Sequence, residues 1–258
     1  MAWVETDSLS FTARHESTEA ETAASVLEEL EGFRSQLSDL FDVTPWDVAV
    51  VIHPSVWQLN LAQPWLPLAR LAAAPASRRY FSGWFSAREI HVLSPNVLRQ
   101  RASTVPGSRE ALSLAPLHEY AHLVVGVNNP RLPPPFNPGS FRRYVAWAWL
   151  CEGAATWLSG QAKFLRPAIA RRLHEGRRPA FPPRPRDALL LGGTVFGLLE
   201  REQGRDACVE LLRSELHPQG GRAAIAGAFG VRADEVEAEW RRYLTELALG
   251  ASRPVRVK

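Results

Sequence analysis

The chain has 258 residues, 46% apolar and 22% charged, with a formal net charge of +3. That length allows one large domain or two small lobes, and so small a charge does not argue for a nucleic-acid partner. No apolar run reaches the ~18 residues of a membrane-spanning helix, so neither a nucleic-acid nor a membrane partner is expected. The segment 1–7 has no basic region and no apolar core, so no signal peptide is expected. The two cysteines, Cys151 and Cys208, make no disulfide framework, and a cytoplasmic setting is the simplest expectation. The basic residues are almost all arginine, with only Lys163 and Lys258 as lysines.

In chain order, Leu9 to His15 alternates polar and apolar residues and reads as a first strand. Ser17 to Phe41 reads as a long amphipathic helix, with Ser17 as N-cap and Ala24, Leu27, Leu30 and Phe33 at helical spacing. Asp47 to His53 is a β-branched run suited to a buried strand, whereas Asn60 to Pro75 fits either a helix or an insertion. Arg79 to Phe85 and Glu89 to Leu93 read as two strands joined at Ser86-Ala87. Leu112 to Val125 carries an apolar helical stripe, with Ser113 as N-cap and Pro116 in the first turn. The proline-rich stretch Val127 to Gly139 excludes a helix.

A second helical pattern runs from about Ser140 to Ser159 and stops at Gly160. Arg177 to Arg186 is a proline- and arginine-rich linker whose arginines either face solvent or grip a substrate carboxylate. Four helical patterns follow: Leu189 to Gln203, Asp206 to Leu216, Arg222 to Phe229 and Asp234 to Leu249. Trp240, Tyr243 and Leu244 read as a packing face, and the tail Ser252 to Lys258 is expected to fray.

The chemistry-bearing stretch is His118-Glu119-Tyr120-Ala121-His122, an H-E-x-x-H pattern. Residues four apart on a helix share a face, so both imidazoles can reach one ion. Glu119 lies about 100° further round the helix, where it can meet a water rather than the metal. A third donor is expected at Glu152, with twenty-nine residues between it and His122, in Trp149-Leu150-Cys151-Glu152-Gly153-Ala154-Ala155. It shares an apolar face with Val145, Ala148, Trp149, Ala155 and Thr156, and a carboxylate buried there needs a partner. Two histidines, a glutamate and a water form a known open zinc arrangement. Cys151 points away from that face and reads as core.

H-E-x-x-H followed by W-L-x-E-G-x-A resembles the gluzincin metallopeptidases, in particular the aminopeptidase N-like branch and the compact peptidase MA-like domains. The resemblance implies one Zn2+ per chain held by His118, His122 and Glu152, with Glu119 as general base. It implies an α+β fold: a small mixed sheet with a long helix in an N-terminal lobe, 1–127, and a helical lobe, 128–258, that brings the third ligand. It implies a peptide or protein substrate paired with an edge strand, here Phe81 to Phe85, so that Ser82, Gly83, Trp84 and Phe85 would bind it. An ordinary edge strand covered by a loop is the other reading of that stretch.

Two positions depart from the family pattern. Leu189 stands where the aminopeptidase N-like branch carries its oxyanion tyrosine, and a leucine has no hydrogen to donate. Losing one such donor costs about 10²–10³ in rate. Tyr144, two turns before Glu152, and His217 are the candidates to replace it. Thr156 stands where some gluzincins place an aspartate that orients a ligand histidine. The expected function is therefore zinc-dependent peptide hydrolysis, or alternatively a zinc-binding pseudo-peptidase that binds a peptide without cutting it. No Gly-Ala-Met-Glu-Asn-like stretch is present, which favours internal cleavage.

Overall fold

The computed structural model describes residues 2–251; the tail Ser252 to Lys258 lies outside them. The architecture is α+β. The chain opens with strands β1 (Trp3–Asp7) and β2 (Phe11–Glu16), then helix α1 (Ala20–Ser38), strand β3 (Val48–His53), and helices α2 (Val56–Ala62) and α3 (Leu66–Ala72). Strands β4 (Gly83–Phe85) and β5 (Glu89–Leu93) complete the sheet, and helices α4 (Pro95–Arg101), α5 (Ser108–Ser113) and α6 (Ala115–Asn128) follow. The remainder is helical: α7 (Pro138–Ala146), α8 (Ala148–Leu158), α9 (Arg166–His174), α10 (Pro185–Gln203), α11 (Arg205–Arg213), α12 (Gly221–Phe229) and α13 (Ala233–Ala251).

The five strands form one mixed sheet in the order β1-β2-β3-β5-β4, antiparallel at both ends and parallel in the middle. The β-branched run of β3 sits at its centre, where strands buried on both faces are rich in valine and isoleucine. Helices α1 and α6 pack on the sheet and on each other. Tyr120, inside the H-E-x-x-H stretch, fixes α6 there: its ring meets Phe11 and Phe33 edge-on, and its hydroxyl donates to the Pro45 carbonyl at 2.7 Å. One buried cluster runs from Phe11 to Leu244, so the sheet side and the helical side share a core. Trp240 and Leu244 are buried in it, and the Trp240 Nε1 donates to the Thr194 hydroxyl at 2.8 Å.

Several elements differ from the sequence expectation, each for a local reason. The first strand is a hairpin rather than a single run. Ser8 N–H closes a turn on the Phe11 carbonyl, and Glu31 accepts from the Ser8 hydroxyl and the Ser10 N–H. Ser17 opens a 3₁₀ turn, and the helix starts at Ala20 without a side-chain cap. Ser113 closes α5 by donating to the Glu110 carbonyl, so it does not cap α6, although Pro116 does sit in the first turn. The strand expected from Arg79 begins only at Gly83, because Arg78–Tyr80 is a 3₁₀ turn and Arg70 holds the Phe81 carbonyl at 2.8 Å. The ambiguous segment 60–75 is largely helical. The helix expected over 140–159 is two helices that part at Trp147, whose ring buries beside Trp149. Helix α9 has no counterpart in the sequence reading.

Helices α8 and α10 approach closely along glycines. A Cβ on Gly153 would stand 2.6 Å from the Gly192 carbonyl carbon, and one on Gly192 would stand 2.6 Å from the Trp149 oxygen. Gly153→Ala should therefore force the helices apart and cost about 1–3 kcal/mol, as overpacking does. Gly227, exposed on α12 with nothing within 4 Å, is the control. Gly227→Ala should be neutral or stabilise by up to about 1 kcal/mol. Denaturant unfolding of both variants checks the contrast.

Candidate metal centre

Helix α6 contributes His118, Glu119 and His122, and α8 contributes Glu152; all four are buried. The Nε2 atoms of His118 and His122 lie 3.2 Å apart. Glu152 Oε2 is 3.5 Å from His118 Nε2, and Glu152 Oε1 is 3.5 Å from His122 Nε2. Donors about 2.0–2.1 Å from an ion, at tetrahedral angles, stand about 3.3–3.4 Å from one another. This triangle of donors, with one atom from each residue and all within 4.8 Å of one another, is close enough to share a single ion. Among the described residues it is the one group of three such donors close enough to share an ion. The donor set of two imidazoles and one carboxylate suits a transition metal better than a calcium or magnesium ion.

The packing explains why these side chains face inward. The Phe85 ring stacks on His122 at 4.2 Å with planes 11° apart, holding that imidazole against β4. Gly83 leaves room for Glu119: a Cβ there would meet Glu119 Oε1 at 2.5 Å. The Tyr144 hydroxyl donates to Glu152 Oε1, and its ring sits among Trp84, Phe85 and Phe136. Gln161 Nε2 donates to the Ala111 carbonyl at 2.8 Å, and the buried His118 Nδ1 has no hydrogen-bond partner among the described residues. The proline-rich connection lies against α6 at Gly126, where a Cβ would meet the Pro133 oxygen at 2.5 Å.

The electrostatics separate the two carboxylates. Burial alone would raise Glu152, but His122, His118 and the Tyr144 hydroxyl outweigh it and push the carboxyl down to about 2. Burial raises Glu119 to about 8; His118 pulls against that rise and Glu152 adds to it. Burial pushes His122 down to about 3 despite Glu152, whereas the contact with Glu152 raises His118 against its own burial. Burial also lifts Tyr144 well above the usual tyrosine value, so its hydroxyl keeps its proton.

The residues expected from sequence divide clearly. His118, Glu119, His122, Glu152 and Tyr144 come together, and Gly83, Trp84 and Phe85 line the same small cavity on the sheet's edge strand. Ser82 is buried beside them, its hydroxyl donating to the Tyr80 carbonyl. Leu189 lies in the cavity wall. His217 does not line it; this residue sits between α11 and α12 and its Nδ1 accepts from the Gln219 N–H at 3.2 Å. Thr156 orients no histidine: its hydroxyl donates to the Leu189 carbonyl at 3.1 Å, tying α8 to α10. Cys151 is buried in the core, as expected.

Sequence reasoning missed Gln161 and Phe136, neither of which carries a motif. It also missed the groove that reaches Glu152. That groove, about 410 Å³, runs between α3 and α7 and shares Phe81, Trp84, Tyr144 and Glu152 with the metal cavity.

Comparison of the chain with protein-family models, with curated proteins and with solved structures finds no match.

The donor triangle makes a direct prediction. Protein dialysed against zinc should retain about one ion per chain, read by elemental analysis. Glu152→Ala should lose most of it, since two histidines alone leave the triangle open. Full retention would remove Glu152 from the donor set.

Proposed function

We propose that the chain is a zinc-dependent peptidase of gluzincin type, with His118, His122 and Glu152 as metal ligands and Glu119 as general base. The observation that carries the reading is the donor triangle with a second, differently tuned carboxylate one residue from its first histidine. Bound zinc would supply Lewis-acid polarisation of a scissile carbonyl and make water more acidic. Glu119 would accept a proton from the attacking water and deliver it to the leaving amine. The burial that raises this carboxyl makes it a better proton acceptor, as a general base requires. Tyr144 has the hydroxyl nearest to hand for a developing oxyanion, in place of the tyrosine that Leu189 replaces. The free edge of β4 would hold an extended substrate by backbone hydrogen bonds. The base and the close fit of Gly83 support this role together, because the strand that lies nearest Glu119 is an edge strand.

A second reading is a zinc site that binds a peptide without cutting it. Leu189 favours it: the wall of the cavity has a methyl surface where the family donor would stand. In that case Tyr144 serves Glu152 alone.

Glu119→Gln separates the two. The variant keeps the side-chain volume and the metal ligands and removes the base. It should fold, hold zinc and bind peptide, yet lose about 10²–10⁴-fold of any hydrolysis. A peptide-library digest of wild type and variant, with and without chelator, reads this. Equal inactivity of both proteins would favour the binding reading. Tyr144→Phe tests the donor: a fall in turnover of about 10²-fold with zinc retained supports it, and unchanged turnover removes Tyr144 from the reaction.

A further inference from the structure

One face of the molecule exposes large apolar side chains beside arginines that no acid neutralises. The short helices α2 and α3 bury Leu59 and Leu66, which turns Trp57, Leu61, Trp65, Leu68 and Leu71 outward; all five are 57–68% exposed. Across the groove, α7 presents Phe141 and Val145, each more than 40% exposed. An apolar surface of this extent on a chain with an ordinary core marks a place of contact.

The segments that form it are rich in arginine and carry no acid. From Val48 to Ala87 the sequence has three arginines and no acid, and from Asn129 to Cys151 it has three more and none. Arg78, Arg142, Arg143, Arg184 and Arg186 are exposed, and none of them forms an ion pair among the described residues. In sequence Arg142, Arg143, Arg184 and Arg186 adjoin residues that line the groove, although Arg143 turns to the Arg131 carbonyl at 2.7 Å. Arg78 donates to the Leu71 and Ala73 carbonyls at the end of α3. Arg142 and Arg143 follow Phe141, while Arg184 and Arg186 flank Pro185, which lines the groove with Trp65 and Leu68.

We propose that this α2–α3–α7 face docks peripherally on an anionic lipid surface. A bilayer with acidic headgroups meets both halves of the face: its acyl boundary takes the leucines and Phe141, and its headgroups take the guanidinium groups. Trp57 and Trp65 are suited to the level between the two. A second copy of the chain fits less well, because a two-fold contact would press the same arginines together with no acid to separate them. Docking of this kind needs no spanning helix, and none of the described helices is long and apolar enough to cross a membrane. It uses none of the proposed zinc ligands, so it stands apart from the peptidase reading. If both hold, the groove that meets the lipid shares Tyr144 and Glu152 with the metal cavity.

Co-sedimentation of the full chain with phosphatidylcholine vesicles, with and without phosphatidylglycerol, tests this. Binding to the anionic vesicles should be at least about tenfold tighter than to neutral ones and should weaken as salt rises above about 0.1 M. Two double variants, Trp65→Ser with Leu68→Ser and Arg142→Gln with Arg184→Gln, should each lower it by about tenfold or more. These positions are exposed, and matching circular dichroism confirms the fold. Glu119→Gln should bind vesicles like wild type, whatever its hydrolytic activity. Absence of binding to anionic vesicles, or binding that neither double variant changes, overturns the proposal. So does a dimer in analytical ultracentrifugation that Trp65→Ser with Leu68→Ser dissolves, since the face would then be a self-contact.

Discussion

A carboxylate buried at 5% exposure in the middle of an apolar helix governs much of this structure. Stripped of partners, Glu152 would cost several kcal/mol to bury. Its two oxygens are instead divided between the two histidines of α6, and Tyr144 donates to one of them from α7. Three helices therefore converge on one side chain. The same arrangement tunes the neighbouring carboxylate by contrast. Glu119 is as deeply buried, and there burial outweighs the pull of His118, so it moves up while Glu152 moves down. Two acids in one small cavity thus acquire opposite characters, which is the pattern that separates a fixed anion from a proton carrier.

Four glycines allow close approaches around the site. Gly153 and Gly192 let α8 lie on α10, and this contact sets where Glu152 points and where Leu189 falls in the cavity wall. Gly83 lets the edge strand reach Glu119, and Gly126 lets the proline connection pack on α6. Thr156 reinforces the α8–α10 contact by bonding the Leu189 carbonyl. Its sequence position suggested a role in orienting a histidine, but its hydroxyl is engaged in joining the helices.

The site was more legible in the sequence than the fold around it. His118, Glu119 and His122 are fixed by helical spacing, and Glu152 by the cost of an unpartnered acid on an apolar face. Both arguments depend on local chemistry and need no tertiary information. The C-terminal helices were legible because their apolar spacing is long and glycines punctuate it. The boundaries that failed depended on distant partners. The Ser8–Ser10 turn is held by Glu31, the late start of β4 by Arg70, and the break at Trp147 by the burial of its ring beside Trp149. None of those partners lies within the local pattern it alters. His217 lies outside the metal cavity, and a histidine in a loop carries no spacing that says which surface it meets.

The metal cavity itself has room for about 10 Å³, at the lower limit of what one water requires, ~10–15 Å³. The adjoining groove has about forty times that space, about 410 Å³, and the two share Phe81, Trp84, Tyr144 and Glu152. Those side chains are therefore the partition between the open surface and the donors. Trp84 and Phe136 pack on Tyr144, and Tyr144 in turn bonds Glu152. Any group that enters from the groove to reach Glu119 must pass this aromatic wall and compete with the Tyr144 hydroxyl for the same region. Tyr144 therefore both closes the cavity and presents the hydroxyl nearest its donors, while Leu189 on α10 supplies only apolar wall.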